Sequence, residues 1–408
     1  MLQAFQAGTL SLAQRLGVAL ILAAGAILSG CTGGGGLSTG DLFSSSPTPE
    51  EAPQGGATIG GGGVKVALIL PLSASGNAGA AAAAMRNAAE LALAEFNSQD
   101  VQLLVKDDGG TAGGAQQAAQ QAIQEGAELI LGPLFAHSVT PVGQLARSRN
   151  IPVIAFSTDA NVAARGVHLL SFLPESDVDR IVSHAVTQGK RSFAAAIPDN
   201  AYGSVVEAAF KQSVARRGAR LVALERYPLD RNQMATAVRT IAQAASRSDA
   251  IFIPDGADSV SAVMGTLTAN GVDAKRMQLL GTGLWEDPQI FSNAALDGAW
   301  YAGPDSTGFR NFSARYRSRY GHDPSRTASL AYDAVALIAA LTKTQGKQRF
   351  SPEVLNNSSG FTGIDGLFRF RPDGTNQRGL AVMRVAPSGG QIISPAPKSF
   401  GATPGNQG

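Results

Sequence analysis

Val64-Lys65-Val66-Ala67-Leu68-Ile69-Leu70, then Pro71-Leu72-Ser73-Ala74-Ser75-Gly76, then an Ala-rich stretch over 78–97, is the segment that decides the fold. A near-continuous apolar run suits a strand buried on both faces, and a helix following it carries the chain to a parallel neighbour. The pattern repeats outward from there. Val101 to Lys106 reads as a strand and Asp107-Asp108-Gly109-Gly110 as a turn, with a helix over 112–125 closed by Gly126. Glu128 to Leu131, a helix over 138–148, and Ile151 to Phe156 complete a βαβαβαβ series. It restarts with strands at Ser192 to Ile197, Arg220 to Glu225, Ala250 to Pro254 and Gln278 to Gly281. Helices lie between them over 203–217, 232–246 and 257–270. Alternation of this kind predicts an α/β chain with two parallel sheets, each covered by helices. Helices follow over 310–320 and 327–344. The end of the chain predicts a hairpin of Gly366 to Arg371 with Leu380 to Val385, then a frayed segment from Pro387.

Composition narrows the function. The 408 residues are 44% apolar, which supports ordinary cores, and their length allows about two domains. With 33 Lys+Arg against 31 Asp+Glu the net charge is +2, too small a basic excess for general nucleic-acid binding. One cysteine makes neither an internal disulfide nor a thiolate metal site, and the four histidines share no ligand spacing. Gly109 to Gly114 lacks the lysine of a phosphate loop, so no cofactor and no metal are expected. The string Gly36-Leu37-Ser38-Thr39-Gly40 matches a hydrolase elbow but has no strand before it or helix after it. No catalytic residue is assigned.

The N-terminus reads as an address. Arg15 precedes an apolar run from Leu16 to Leu28, too short to span a bilayer and right for a signal-peptide core. It ends in Leu28-Ser29-Gly30-Cys31, which resembles the bacterial lipobox. That resemblance implies a lipoprotein signal over 1–30 and acylation of Cys31. Multiple acyl chains anchor stably where one binds reversibly. Thr32, in place of Asp, implies sorting to the outer rather than the inner membrane. Residues 31–63 then form a lipidated cysteine with a Gly-, Ser- and Pro-rich tether, about 30 Å in mean span.

Taken together, Val64 to Leu72, Asp107-Asp108-Gly109, Leu131-Gly132-Pro133, Ile151 to Ala155, Pro198 to Gly203 and Phe361 to Gly366 resemble the Leu/Ile/Val-binding-protein family of type I periplasmic receptors. The resemblance covers roughly residues 64–386. It implies two Rossmann-like lobes joined by three crossover strands. Lobe one would comprise 64–172 plus 304–358, lobe two 173–303 plus 359–390, and 391–408 would be a disordered tail. A small solute, of amino-acid or amide class, would bind between the lobes for transfer to an ABC permease. The lipoprotein branch of the fold also resembles activators of penicillin-binding peptidoglycan synthases, which act by protein contact in the outer membrane.

Several residues are candidates for the cleft. Ser73 and Ser75 lie where free N–H groups and a helix dipole favour an anion, and either could instead cap the helix. Ala136 and Ser138 fall where the family offers a small hydroxyl residue, and Ser157-Thr158-Asp159 where it holds the α-amino and carboxylate groups. Tyr202 matches an aromatic from lobe two. The family's acidic partner for the ligand ammonium falls at Gly283, so Asp159 or Asp255 would have to substitute. Trp285 reads as cleft or core. His184 reads as surface. Arg310, Arg315, Arg317 and Arg319, interleaved with Phe312, Tyr316 and Tyr320, read as a solvated helix or as a face for an acidic partner.

Overall fold

The computed structural model describes residues 57–400 apart from Leu229. The expected signal peptide over 1–30, Cys31 and most of the expected tether lie outside the described residues, as do the last eight residues. Six strands form the first sheet: β1 (Thr58–Ile59), β2 (Val64–Leu70), β3 (Val101–Asp107), β4 (Leu129–Leu131), β5 (Val153–Ala155) and β6 (Val167–Leu169). Their order is β1-β3-β2-β4-β5-β6, parallel except for β1. β2 and β3 pair over seven residues, Val64 with Val101 through Leu70 with Asp107. Between them run helices α1 (Gly76–Glu95), α2 (Ala112–Gln124) and α3 (Ala136–Arg147). The alanines of α1 and α2 let these helices lie close on strands whose side chains are buried on both faces.

The chain then crosses to a second sheet. It holds β7 (Ser192–Pro198), β8 (Arg220–Tyr227), β9 (Ala250–Phe252), β10 (Gln278–Gly281) and β11 (Trp300–Gly303) in parallel. Helices α4 (Pro174–Thr187), α5 (Ala201–Arg216), α6 (Arg231–Ala245), α7 (Ala257–Ala269) and the short α8 (Pro288–Ser292) accompany them. A second crossing returns the chain to the first sheet's side as α9 (Ser306–Tyr320), α10 (Ala328–Thr344) and α11 (Pro352–Leu355). Phe312, Tyr316 and most of α10 enter the same core as α1 and β2. Arg315 pairs with Glu95 and Arg319 with Glu90, both on α1, while Arg317 meets Asp323, so the basic helix face is held by ion pairs within the chain.

A three-stranded sheet follows, β12 (Phe361–Gly363), β13 (Gly366–Phe370) and β14 (Asn376–Arg378). The predicted turn at 371–374 is present, but it joins β13 to β14. Leu380 to Val385 is no part of that hairpin. β15 (Ala381–Ala386) runs antiparallel beside β11, and β16 (Gly389–Ser394) pairs with β15, giving the order β16-β15-β11-β10-β9-β7-β8. Two expectations therefore change. Residues 361–378, expected in lobe two, pack with the first sheet through Phe361, Phe368 and Phe370. The chain's third crossing thus falls at Gly379–Leu380. Residues 389–394, expected to be frayed, form an ordered edge strand. The tether also ends earlier than residue 63, because Thr58 and Ile59 close the edge of β3 against Leu104 and Leu103.

Candidate functional site

Both sheets reverse their strand order at one place. From β2 the chain moves outward to β3 and then back past β2 to β4; from β7 it moves to β8 and then back to β9. The loops leaving adjacent strands diverge there, on opposite faces, and leave a crevice at the strands' carboxyl ends. The candidate residues follow those strands, and Gly132, just after β4, packs against the backbone of β2. Its φ is +92°, and a Cβ there would stand 2.1 Å from the Ile69 carbonyl oxygen.

On the first sheet the loop after β2 is braced by Asp107 at the end of β3. Its Oδ1 accepts the Ser73 N–H at 3.2 Å and the Gly109 N–H at 2.9 Å. Burial alone would raise the Asp107 carboxyl, but these hydrogen bonds together hold it below the usual range. Neither serine caps α1. Ser75 occupies the N-cap position without a side-chain bond, and Ser73 is committed to Asp107. Ser73 and Ser75 are exposed. Phe135 stacks on His137, whose Nε2 lies 2.9 Å from the Gly110 carbonyl oxygen. Ala136 is half-buried at the start of α3, whereas Ser138 is fully buried with its hydroxyl unpartnered, beneath the rim. Ser157 is buried and accepts the Asp159 N–H at 3.1 Å; Thr158 is exposed, and Asp159 accepts the Asn161 N–H at 2.9 Å.

On the second sheet the candidates are each held by hydrogen bonds. Tyr202, at the start of α5, lies with its hydroxyl 3.0 Å from that of the fully buried Thr282. Burial raises the Tyr202 hydroxyl well above its ordinary value, so it stays protonated. Tyr227 donates to Asp255 at 2.7 Å, and the Gly256 N–H donates to the other Asp255 oxygen at 2.7 Å. Gly283 donates its N–H to Asp177 Oδ2 at 2.9 Å. Asp177, from the first turn of α4, thus places a carboxylate at the very position where the sequence shows only glycine. Burial pushes that carboxyl up to about 7, against the opposing pull of the Gly283 N–H and of Arg378 and Arg326. It has no salt-bridge partner among the described residues. Leu284 beside it is 47% exposed. Trp285 points the other way. It is fully buried and donates from Nε1 to the Ile253 carbonyl at 3.1 Å, so it belongs to the core.

A charged knot lies where the chain crosses between the sheets. Phe172 is sandwiched between the guanidiniums of Arg326 and Arg378, at 4.8 and 4.6 Å. Arg326 pairs with the buried Asp365, which also accepts the Ser329 hydroxyl at 2.7 Å. Asp333, 2% exposed, accepts the Ile364 N–H at 2.7 Å, and burial pushes its carboxyl up to about 7. His168 is buried against Phe370 and pushed down to about 4. His184, expected at the surface, is buried edge-on against Trp300. Among the described residues no cluster of three His, Cys, Asp or Glu could hold a metal ion, and no helix is long and apolar enough to cross a membrane.

Comparison with known proteins agrees with this architecture. Solved structures of solute-binding proteins superpose along nearly their full length. One is a putative branched-chain amino acid ABC transporter protein from Rhodospirillum rubrum, at TM-score 0.72 and 19% identity, covering 81% of this chain and 99% of that one. A solute-binding protein from Rhodopseudomonas palustris in complex with 3,4-dihydroxybenzoic acid matches at TM-score 0.60 and 20% identity, over 83% and 98% of the two chains. A substrate-binding protein from Desulfitobacterium hafniense in complex with Leu matches at TM-score 0.60 and 17% identity, over 81% and 99%. At these identities the likeness speaks for the fold. No curated protein matches the sequence. The family model described as periplasmic binding protein matches residues 63–391, most of the chain. With two parallel-dominated sheets, three crossings between them and this match, the chain belongs to the periplasmic binding protein family.

Proposed function

We propose that this protein is a non-catalytic receptor, held in the periplasm by lipid on Cys31, that takes an amino-acid-like or amide solute between its two sheets and delivers it to an ABC permease. The observation that carries the reading is Asp177 on the Gly283 N–H. A buried ammonium needs a carboxylate, and a carboxyl raised to about 7 gains its missing counter-charge when a cation arrives. Tyr202, and the exposed Leu284 next in the chain to Gly283, would supply an aromatic and an apolar wall for the rest of a small solute. On the other rim, the exposed Ser73 and Ser75 N-terminal to α1, with Ser157, Thr158 and Asp159, supply N–H, hydroxyl and acidic groups for the solute's polar end.

The alternative, contact activation of a penicillin-binding synthase, drew support from the missing ammonium partner. A carboxylate of Asp177 on the Gly283 N–H is a candidate for that partner and supports the solute reading. The test is a calorimetric and thermal-shift screen of amino acids, amides and short peptides. A binder is expected, and Asp177→Asn should weaken an ammonium-bearing one by at least about tenfold. A screen with no binder, together with recovery of a synthase from the envelope, would favour the alternative.

A further inference from the structure

The run Ser394-Pro395-Ala396-Pro397-Lys398-Ser399-Phe400 begins at the end of β16 and continues without strand or helix, yet it is seated at both ends. At its start it belongs to the second sheet's half. Arg180, on α4, donates to the Ser394 hydroxyl at 2.7 Å and to the carbonyls of Ser394 and Pro395 at 3.4 and 3.3 Å. The same guanidinium donates from Nε to the Leu380 carbonyl at 2.8 Å. One side chain therefore grips both this run and the passage at Gly379–Leu380. Ala396 packs on the core that holds Met383 and Val385.

By its far end the run has reached the first sheet's half. The half-buried Phe400 ring lies over the Arg369 guanidinium of β13, at 4.6 Å. That guanidinium is a fixed plate: Nε and Nη2 donate to Gln377 Oε1 at 3.0 and 2.8 Å, and Nη1 to the Ser358 carbonyl at 2.9 Å. Gly360 leaves room for the ring. Its φ is +77°, and an added Cβ would stand 3.0 Å from two ring carbons of Phe400. Midway, Pro397 lies on Gly379, where an added Cβ would stand 3.2 Å from the proline Cγ. The run thus crosses directly over the third passage. Pro395 and Pro397 fix their own φ, which makes it stiff and extended, and six residues reach at most about 20 Å.

We infer that residues 394–400 are a strap, a noncovalent fourth tie between the halves that narrows their swing, seated on Arg180 in the second half and on Arg369 in the first. Thin connections alone leave relative motion free, and a stiff segment seated on both bodies restricts the angle it crosses. Such a strap needs only that the halves move as bodies, whatever solute lies between them.

The test is a distance distribution taken without solute. The full chain carrying Cys31→Ser is spin-labelled at Gln121→Cys on α2 and Ala208→Cys on α5 and read by pulsed dipolar spectroscopy, with the fold of each variant checked by circular dichroism. Phe400→Ser, which removes the ring from Arg369, should broaden the distribution. Ending the chain after Ser394 should broaden it further, and ending it after Phe400 should leave it as in the parent. The proposal is overturned if Phe400→Ser keeps the parent's width, or if ending the chain after Phe400 broadens the distribution as much as ending it after Ser394.

Discussion

Asp177 and Asp333 show what single residues carry in this fold and what a sequence conceals. The sequence shows glycine at 283, and the carboxylate that accepts its N–H comes from a residue 106 positions earlier. An acidic residue in the first turn of a helix, after Pro174, has an ordinary helix-dipole explanation, so nothing local marks Asp177 as reaching Gly283. Asp107 hid in the same way. It reads as a turn residue, and only the adjacency of β2 and β3 reveals that it braces Ser73. Tyr202 is named only by the resemblance, and Asp255 only as a substitute for a missing acidic residue; the structure gives Tyr202 a hydroxyl contact with Thr282 and Asp255 a donor in Tyr227. Asp333 gives a test at this scale. Its carboxyl, raised from 3.8 to about 7, holds its proton more tightly folded than unfolded. That favours the folded state at low pH, and the advantage is lost as pH rises from about 4 to about 7. Asp333→Asn has no proton to lose. Its melting temperature relative to wild type should therefore climb across that window and level off above it. His168 and Asp177 titrate nearby, but they are common to both proteins and largely cancel in the difference. Parallel curves would show that Asp333 is not buried as described.

At the scale of elements, the long apolar strands declared themselves, because burial on both faces leaves no polar position to confuse the period. The short ones did not. β6 has three residues with a histidine in the middle, β14 is Asn376-Gln377-Arg378, and β16 exposes Ile392 and lies among glycines and prolines. Each is a strand because of its neighbour, not its own residues, and tertiary context overrides propensity in such cases. The hairpin at 371–374 was legible from its turn, but the partner strand was misassigned, since Ala381–Ala386 has the stronger apolar pattern and belongs to β11 instead. The junction of β10 with its crevice loop offers a test. Gly281 packs so closely on Trp285 that an added Cβ would lie 2.1 Å from the indole. Trp285 is fully buried and cannot retreat. Gly281→Ala should cost about 1–3 kcal/mol in urea unfolding, more if the indole loses its Ile253 hydrogen bond. An unchanged midpoint would mean that the tryptophan is not locked in the core.

The whole molecule is two parallel sheets with separate apolar cores, joined by three short passages near Leu170–Leu173, Gly303–Asp305 and Gly379–Leu380. Two cores held by three thin connections favour rigid-body swinging over internal deformation, because packed interiors resist strain while short linkers absorb it. The alternation of strands and helices made this plan legible, while the position of the third passage was not, since it depends on which core receives Phe368 and Phe370. The lipid reading belongs to this scale too. Cys31→Ser should shift the protein from the membrane fraction to the soluble periplasmic fraction, and retention of the variant on membranes would contradict acylation at that residue.

The most direct test of a receptor that grips a solute between its halves is a distance. With Cys31→Ser as background, spin labels at Gln121→Cys on α2 and Ala208→Cys on α5, both exposed, report the separation of the two halves by pulsed dipolar spectroscopy. Saturation with a solute shown to bind by calorimetry should shorten and narrow the distance distribution. A distribution unchanged at saturation would contradict closure, and with it the claim that the two halves grip a solute between them.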